Sequence, residues 1–194
     1  MRLSDGTLPP SIYFFCYNSI KPITNTIIMT SKIIIKNTQY ADSRTAPEDI
    51  DRDKLYEATQ NHLHDVERGM DWFSKQIHDA GLKHDFTKMD CFDEVYAPSV
   101  LSGKSDDEFK NEEWYKRHIS EERHHVNDNA HSDVDMVDII EHLVDVVMSG
   151  LGRAGFVNSK YTDISPELLY RAYWNSVHKL ENIVEVSNAE DLEQ

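Results

Sequence analysis

Residues 58–81 read ATQNHLHDVERGMDWFSKQIHDAG, and their spacing decides the fold class. Ala58, His62, Val66, Met70, Phe73, Ile77 and Ala80 recur at steps of three and four, the period of a helix with one buried stripe. At about 100° per residue, His62 falls near the middle of that stripe and His64 projects roughly opposite. The spacing predicts a helix that opens near Glu48 and closes at Gly81. On this reading His62 faces the core and His64 faces water.

From that glycine, Gly81–Asp90 read GLKHDFTKMD. His84 and Asp85 stand side by side, a nitrogen donor and a hard oxygen donor of the kind that divalent transition metals take. Lys88 follows, and Phe86 and Met89 begin another apolar stripe. Glu94 and Tyr96 lie just beyond; singly, each reads better as a solvated acid and a surface ring than as part of a site. Residues 97–107, APSVLSGKSDD, read as a loop, and a helix is expected from near Glu108. On it Trp114, His118, Glu122 and His125 share a face, which leaves His124 on the far side of a regular helix. The turn-forming Asn127–Asn129 allows a frayed end that turns both histidines inward.

Asp133–Ser149 predicts a helix apolar around most of its circumference, and therefore buried. Its polar exception is narrow: Asp138, Glu141, His142 and Asp145 cluster within about 100°. That strip is either the one wet face of the helix or a set of acids presented to an internal site. An inward carboxylate requires a metal or hydrogen bonds to offset its burial. Glycines 150, 152 and 155 end this helix. The last helix opens at Ser165-Pro166-Glu167, a serine cap with proline in the first turn.

The ends differ from the middle. Residues 1–50 carry Pro9, Pro10, Pro22 and Pro47 and two β-branched runs, Thr24–Thr30 and Ser31–Thr38, which predict a short β-hairpin or an irregular extension. Met29 is an alternative start. The expected organisation is an extension over 1–50, a helical domain over 51–187 and an acidic tail over 188–194. The net charge of −15 disfavours a dedicated nucleic-acid binder, since such a surface repels phosphate backbones. No stretch approaches the length of a membrane span. Two cysteines, Cys16 and Cys91, offer neither a disulfide framework nor CxxC spacing. A cytoplasmic location is expected.

Taken together, the donors run His62, His84–Asp85 with Lys88, His118, His124–His125 and Asp145. This order resembles the HD-domain superfamily of metal-dependent phosphohydrolases, whose motif is a histidine on one helix, a His-Asp pair about twenty residues on, and an aspartate on a later helix. HLHDV (His62–Val66), KHDFTK (Lys83–Lys88) and IIEHLVD (Ile139–Asp145) look like its three parts, over about residues 55–150. ERHHVN looks like the paired histidines of bimetallic members. The whole pattern is similar to a group of small HD-like proteins of bacteriophages and bacteria, which would place the chain in a host cytoplasm. Two departures stand out. FTKMD replaces the usual IGK-type run, and no GYP follows the paired histidines, which disfavours cyclic-di-GMP cleavage.

The resemblance implies an all-α, HD-domain-like bundle in which His62, His84, Asp85 and Asp145 hold a divalent ion (Mn, Fe, Co, Ni or Zn). His118, His124 and His125 would hold a second ion or grip a phosphate. Asp85, Lys88 and His118 are the catalytic candidates, with Lys88 either neutralising phosphate charge or pairing with Asp85 or Asp90. Asp145 is preferred to Asp138 because Glu141–Asp145 fits the family's helix, and periodicity prefers His125 to His124. The expected reaction is hydrolysis of a small phosphorylated substrate, a nucleotide first, by a metal-activated water. The alternatives are an iron-dependent lyase or oxygenase on the same scaffold, a non-catalytic protein that sequesters a nucleotide or engages a host protein, and an acidic bundle with incidental histidines.

Overall fold

The computed structural model describes residues 32–37, 46, 48–126 and 130–187. The fold is all-α with a small β addition. In chain order come strand β1 (Ile33–Lys36) and helix α1 (Arg52–Lys83). Helix α2 (Phe86–Asp90) follows, then a π-helical stretch (Phe92–Tyr96), α3 (Ala97–Leu101), α4 (Asp106–Lys110) and α5 (Glu113–Glu121). The chain closes with α6 (Met136–Ala154), α7 (Ser159–Thr162), α8 (Pro166–Ile183) and strand β2 (Val184–Ser187). Among the described residues, one compact unit spans 85–121, and the other joins 32–84 to 122–187.

In the larger unit α1 opens on Asp51, whose carboxylate accepts from the backbone N–H groups of Asp53 (2.8 Å) and Lys54 (3.2 Å). The helix does not stop at Gly81. It runs through that glycine to Lys83, and His84 takes an extended ψ of 130° as its cap. The expected buried stripe is buried only in part: Ala58, Phe73 and Ala80 are buried or half-buried, and Ile77 is exposed. His62, Leu63, Val66 and Met70 are exposed, whereas Ala58, Asp65, Gly69, Trp72, Gln76 and Asp79 are buried or half-buried. α1 packs against α6 and β1, and its least exposed side is this line of small, polar and aromatic residues. A helical period identifies an apolar face without specifying which neighbour covers it.

Of the two β-branched runs expected to give a hairpin or an irregular extension, the second supplies β1. β1 pairs in parallel with β2, with Ile33 opposite Val184 and Lys36 opposite Ser187. Ile33–Lys36, inside that run, thus finds its partner far along the chain, just after α8. The other run, Thr24–Thr30, lies outside the described residues. Val126, Val134, Ile139, Leu168 and Ala172 form the hydrophobic core, with Ala130, Met136 and Ile164 packed on it. α6 ends on Gly155, whose φ of 74° is one that glycine adopts without strain. Ser165 caps α8 as its sequence predicts, accepting from the Leu168 N–H at 3.1 Å.

The smaller unit gathers around Trp114. Its indole N–H donates to Ser99 Oγ at 2.9 Å and to Glu112 Oε2 at 2.8 Å, and Tyr96 and Phe109 meet its ring edge-on at 5.1 Å each. The stretch expected as a loop contains α3, with Pro98 in the first turn where its missing N–H costs nothing. Ser105 and Glu108 form a reciprocal capping box that starts α4. The helix expected to continue to His125 breaks at Asn111–Glu112 and stops at Glu121. Helical periodicity therefore cannot rank His124 against His125. No helix of the described residues is long and apolar enough to cross a membrane.

Candidate metal centre

α6 carries the polar strip, and the strip points inward. Asp138 and His142 are buried and Glu141 and Asp145 half-buried, while Leu143, Val144 and Met148 are exposed. The expectation of a helix buried nearly all round is thus overturned: the chain surrounds its acids and leaves part of its aliphatic face open.

Each acid of the strip has a distinct set of partners. Asp138 belongs to the helix start: its Oδ2 accepts from the Asp135 N–H at 2.9 Å, and Asp135 returns the contact as N-cap. The Arg123 guanidinium grips both Asp138 oxygens at 2.7 Å, a bidentate fork in a buried place. Asp138 is therefore committed to structure. One and two turns further on, Glu141 and Asp145 face His84. His84 Nδ1 lies 2.9 Å from Glu141 Oε1, and its Nε2 lies 3.6 Å from Asp145 Oδ1. The imidazole sits between two carboxylates.

His124 completes the group. It is the most deeply buried of the candidate ligands, 1% exposed, and its Nδ1 stands 3.2 Å from the same Glu141 oxygen. Its ring lies 4.3 Å from that of His84, tilted by 43°. The residues around it hold it in place: His142 Nδ1 bonds the His124 carbonyl at 2.9 Å, and Arg123 ties the preceding residue to α6. His125 is half-buried against the His124 ring, 4.3 Å between centres. His124, not His125, reaches Glu141, because the chain has left the helix at Glu121.

Burial pushes the Glu141 carboxyl up, but the His124 and His84 imidazoles outweigh it and hold its pKa down to about 2. Glu141 is consequently an anion under any ordinary condition. His84, His124 and Glu141 each offer a donor atom within 4.8 Å of the others, two nitrogens and one oxygen. This mixed set fits a divalent transition metal. The 3.6 Å between His84 Nε2 and Asp145 Oδ1 is close to the spacing of two ligands that each lie about 2.1 Å from one ion.

His62 is not with them. It lies on the same uninterrupted helix that ends beside His84, roughly 30 Å away along the axis at 1.5 Å per residue, and its side chain is exposed. The sequence reading closed this helix at Gly81, but even so the length of helix between them keeps His62 from reaching His84.

In the smaller unit Asp85 opens α2 with a left-handed backbone, φ 58°, the single positive φ among the described non-glycine residues. Lys88 Nζ pairs with Asp85 Oδ2 at 2.5 Å, and Asp90 pairs instead with Arg117 at 2.9 Å. His118 is buried, with Nδ1 on the Thr87 hydroxyl at 2.7 Å and Nε2 3.6 Å from Asp85 Oδ1. Asp85, Lys88 and His118 are thus brought together. Sequence reasoning missed Thr87, which carries no signal of its own. It also passed over Glu141 and His142 as members of the site, although both were visible in the polar strip of α6.

Comparison with family models, with curated proteins and with solved structures found no match to this chain.

Proposed function

We propose that this chain is a metal-dependent phosphohydrolase that acts on a small phosphorylated substrate, a nucleotide first. The observation that carries the reading is the His84–His124–Glu141 group, three donors within 4.8 Å of one another. Asp145, on the far side of the His84 ring, supplies a further carboxylate. Glu141 holds His84 and His124 in orientation and stays ionised, so the group keeps an anionic oxygen for a cation. His142 and Arg123 fix the backbone and the helix start that set these positions, which limits reorganisation on loading. When bound, a divalent ion lowers the pKa of a water and polarises a phosphoryl oxygen. The Asp85–His118 pair, its histidine held by Thr87, is the candidate for a second ion. The charge of −15 favours a small substrate over a polynucleotide, because bound cations offset repulsion only locally.

The test is turnover by the purified full chain on nucleoside monophosphates, cyclic nucleotides and simple phosphomonoesters, with Mn, Fe, Co, Ni or Zn supplied. Wild type is expected to release phosphate or open a cyclic ester with at least one metal, and His124→Ala and Glu141→Gln to lose at least tenfold in rate. Equal rates in wild type and both variants would overturn the reading.

A further inference from the structure

Along α1, Tyr56, Thr59, Leu63, Val66, Met70, Phe73, Ile77 and Ala80 alternate steps of three and four residues without a break. This is a period of 3.5, the a and d seam of a two-stranded coiled coil. Most of the seam is open in the structure: Tyr56 is 62% exposed, Leu63 56%, Val66 51%, Met70 65% and Ile77 37%, while Phe73 and Ala80 are half-buried. α1 packs against α6 and β1, yet Leu63, Val66 and Met70 stay exposed, so among the described residues this part of the seam is not covered.

We propose that the seam pairs with the same seam of a second copy, giving a parallel, in-register homodimer. A sustained 3.5 period asks for a helical partner of the same length and period. Among the described helices α1 alone has 32 residues; α6 has 19 and α8 has 18. A second copy supplies the match.

The flanking positions agree. Parallel pairing sets each g residue against the e residue five places on in the other copy. His62 then meets Glu67, Gly69 meets Ser74, and Gln76 meets Gly81. Glu67 is the single acid at these positions from residue 55 to 81, although the chain carries −15, so two copies approach along the seam without acid facing acid. In the isolated chain Glu67 rests on His64 at 3.4 Å, an exposed contact that is readily exchanged. Gly69 and Gly81 have nothing within 4 Å of where a side chain would begin, which leaves room for a close neighbour. Antiparallel pairing would set e against e and separate His62 from Glu67. About three and a half heptads bury area on the order of the 800 Å² per partner of a stable interface.

Sedimentation equilibrium of the full chain, 22.5 kDa, is the test. Wild type is expected to sediment at twice that mass. Met70→Glu replaces a side chain already exposed in the single chain, so helix content by circular dichroism should be unchanged while dimerisation weakens on the order of 100-fold. His62→Glu, which places acid against the partner's Glu67, should weaken it about tenfold. A wild-type monomer at micromolar concentration, or a Met70→Glu chain that dimerises as wild type does, overturns the proposal. An unaffected His62→Glu dimer overturns the parallel register.

Discussion

His84 Nδ1 stands 2.9 Å from Glu141 Oε1, across 57 residues of sequence. A carboxylate offers no proton, so the imidazole donates. The same oxygen is 3.2 Å from His124 Nδ1, and the one acid therefore lies against both rings.

From this follows the first prediction. Glu141→Gln should weaken Mn or Zn binding by about 10- to 100-fold in calorimetric titration, because it removes an anionic donor and the orientation of two histidines. Asp138→Asn should leave metal affinity near that of wild type, since Asp138 is taken up by Arg123 and the helix cap.

The second concerns acid. Glu141 has a folded pKa of about 2 against an ordinary 4.5. A depressed carboxyl contributes stability that is fully present above the ordinary value and is lost as the pH falls through 4.5 toward 2. Metal-free wild type should therefore lose urea resistance across this window, and the wild-type curve should approach that of Glu141→Gln at its acid end. Parallel curves for the two proteins would contradict the assignment of this acid limb to Glu141.

The third concerns the frame around the site. Arg123 grips buried Asp138 with two bonds of 2.7 Å. Arg123→Ala strands that carboxylate and should cost about 3 kcal/mol in denaturant unfolding. A loss comparable with that of an exposed pair, below about 1 kcal/mol, would show that water reaches Asp138.

Much of this architecture was legible in the chain. Helical periods located α1, α5, α6 and α8, and the Ser165-Pro166 cap located the start of α8 to the residue. The narrow polar strip of α6 marked Asp138, Glu141, His142 and Asp145 without separating the structural acid from the rest, and the pair His84–Asp85 marked the junction of two helices. What the chain did not disclose depends on partners far away in sequence. Nothing local tells that Ile33–Lys36 will pair with Val184–Ser187, or that Asp65, Gln76 and Asp79 will be less exposed than Leu63, Val66 and Met70. Gly81 looks like a stop, yet glycine is tolerated inside a helix at a cost of about 1 kcal/mol, which packing along 32 residues overcomes. His124 could not be ranked above His125 while the helix was taken to continue past Glu121.

The continuous helix gives the fourth prediction. His62→Ala should leave metal affinity unchanged within twofold, because roughly 30 Å of helix separates it from His84. A loss of tenfold or more in the same titration would mean that α1 bends or breaks before Lys83.

The most direct test of the account is anomalous diffraction from crystals of the full chain grown with Zn or Mn, collected at the metal's absorption edge. The account predicts a peak within about 2.0–2.2 Å of donor atoms from His84, His124 and Glu141. Density for the metal elsewhere, with these three side chains joined only to one another, would contradict it.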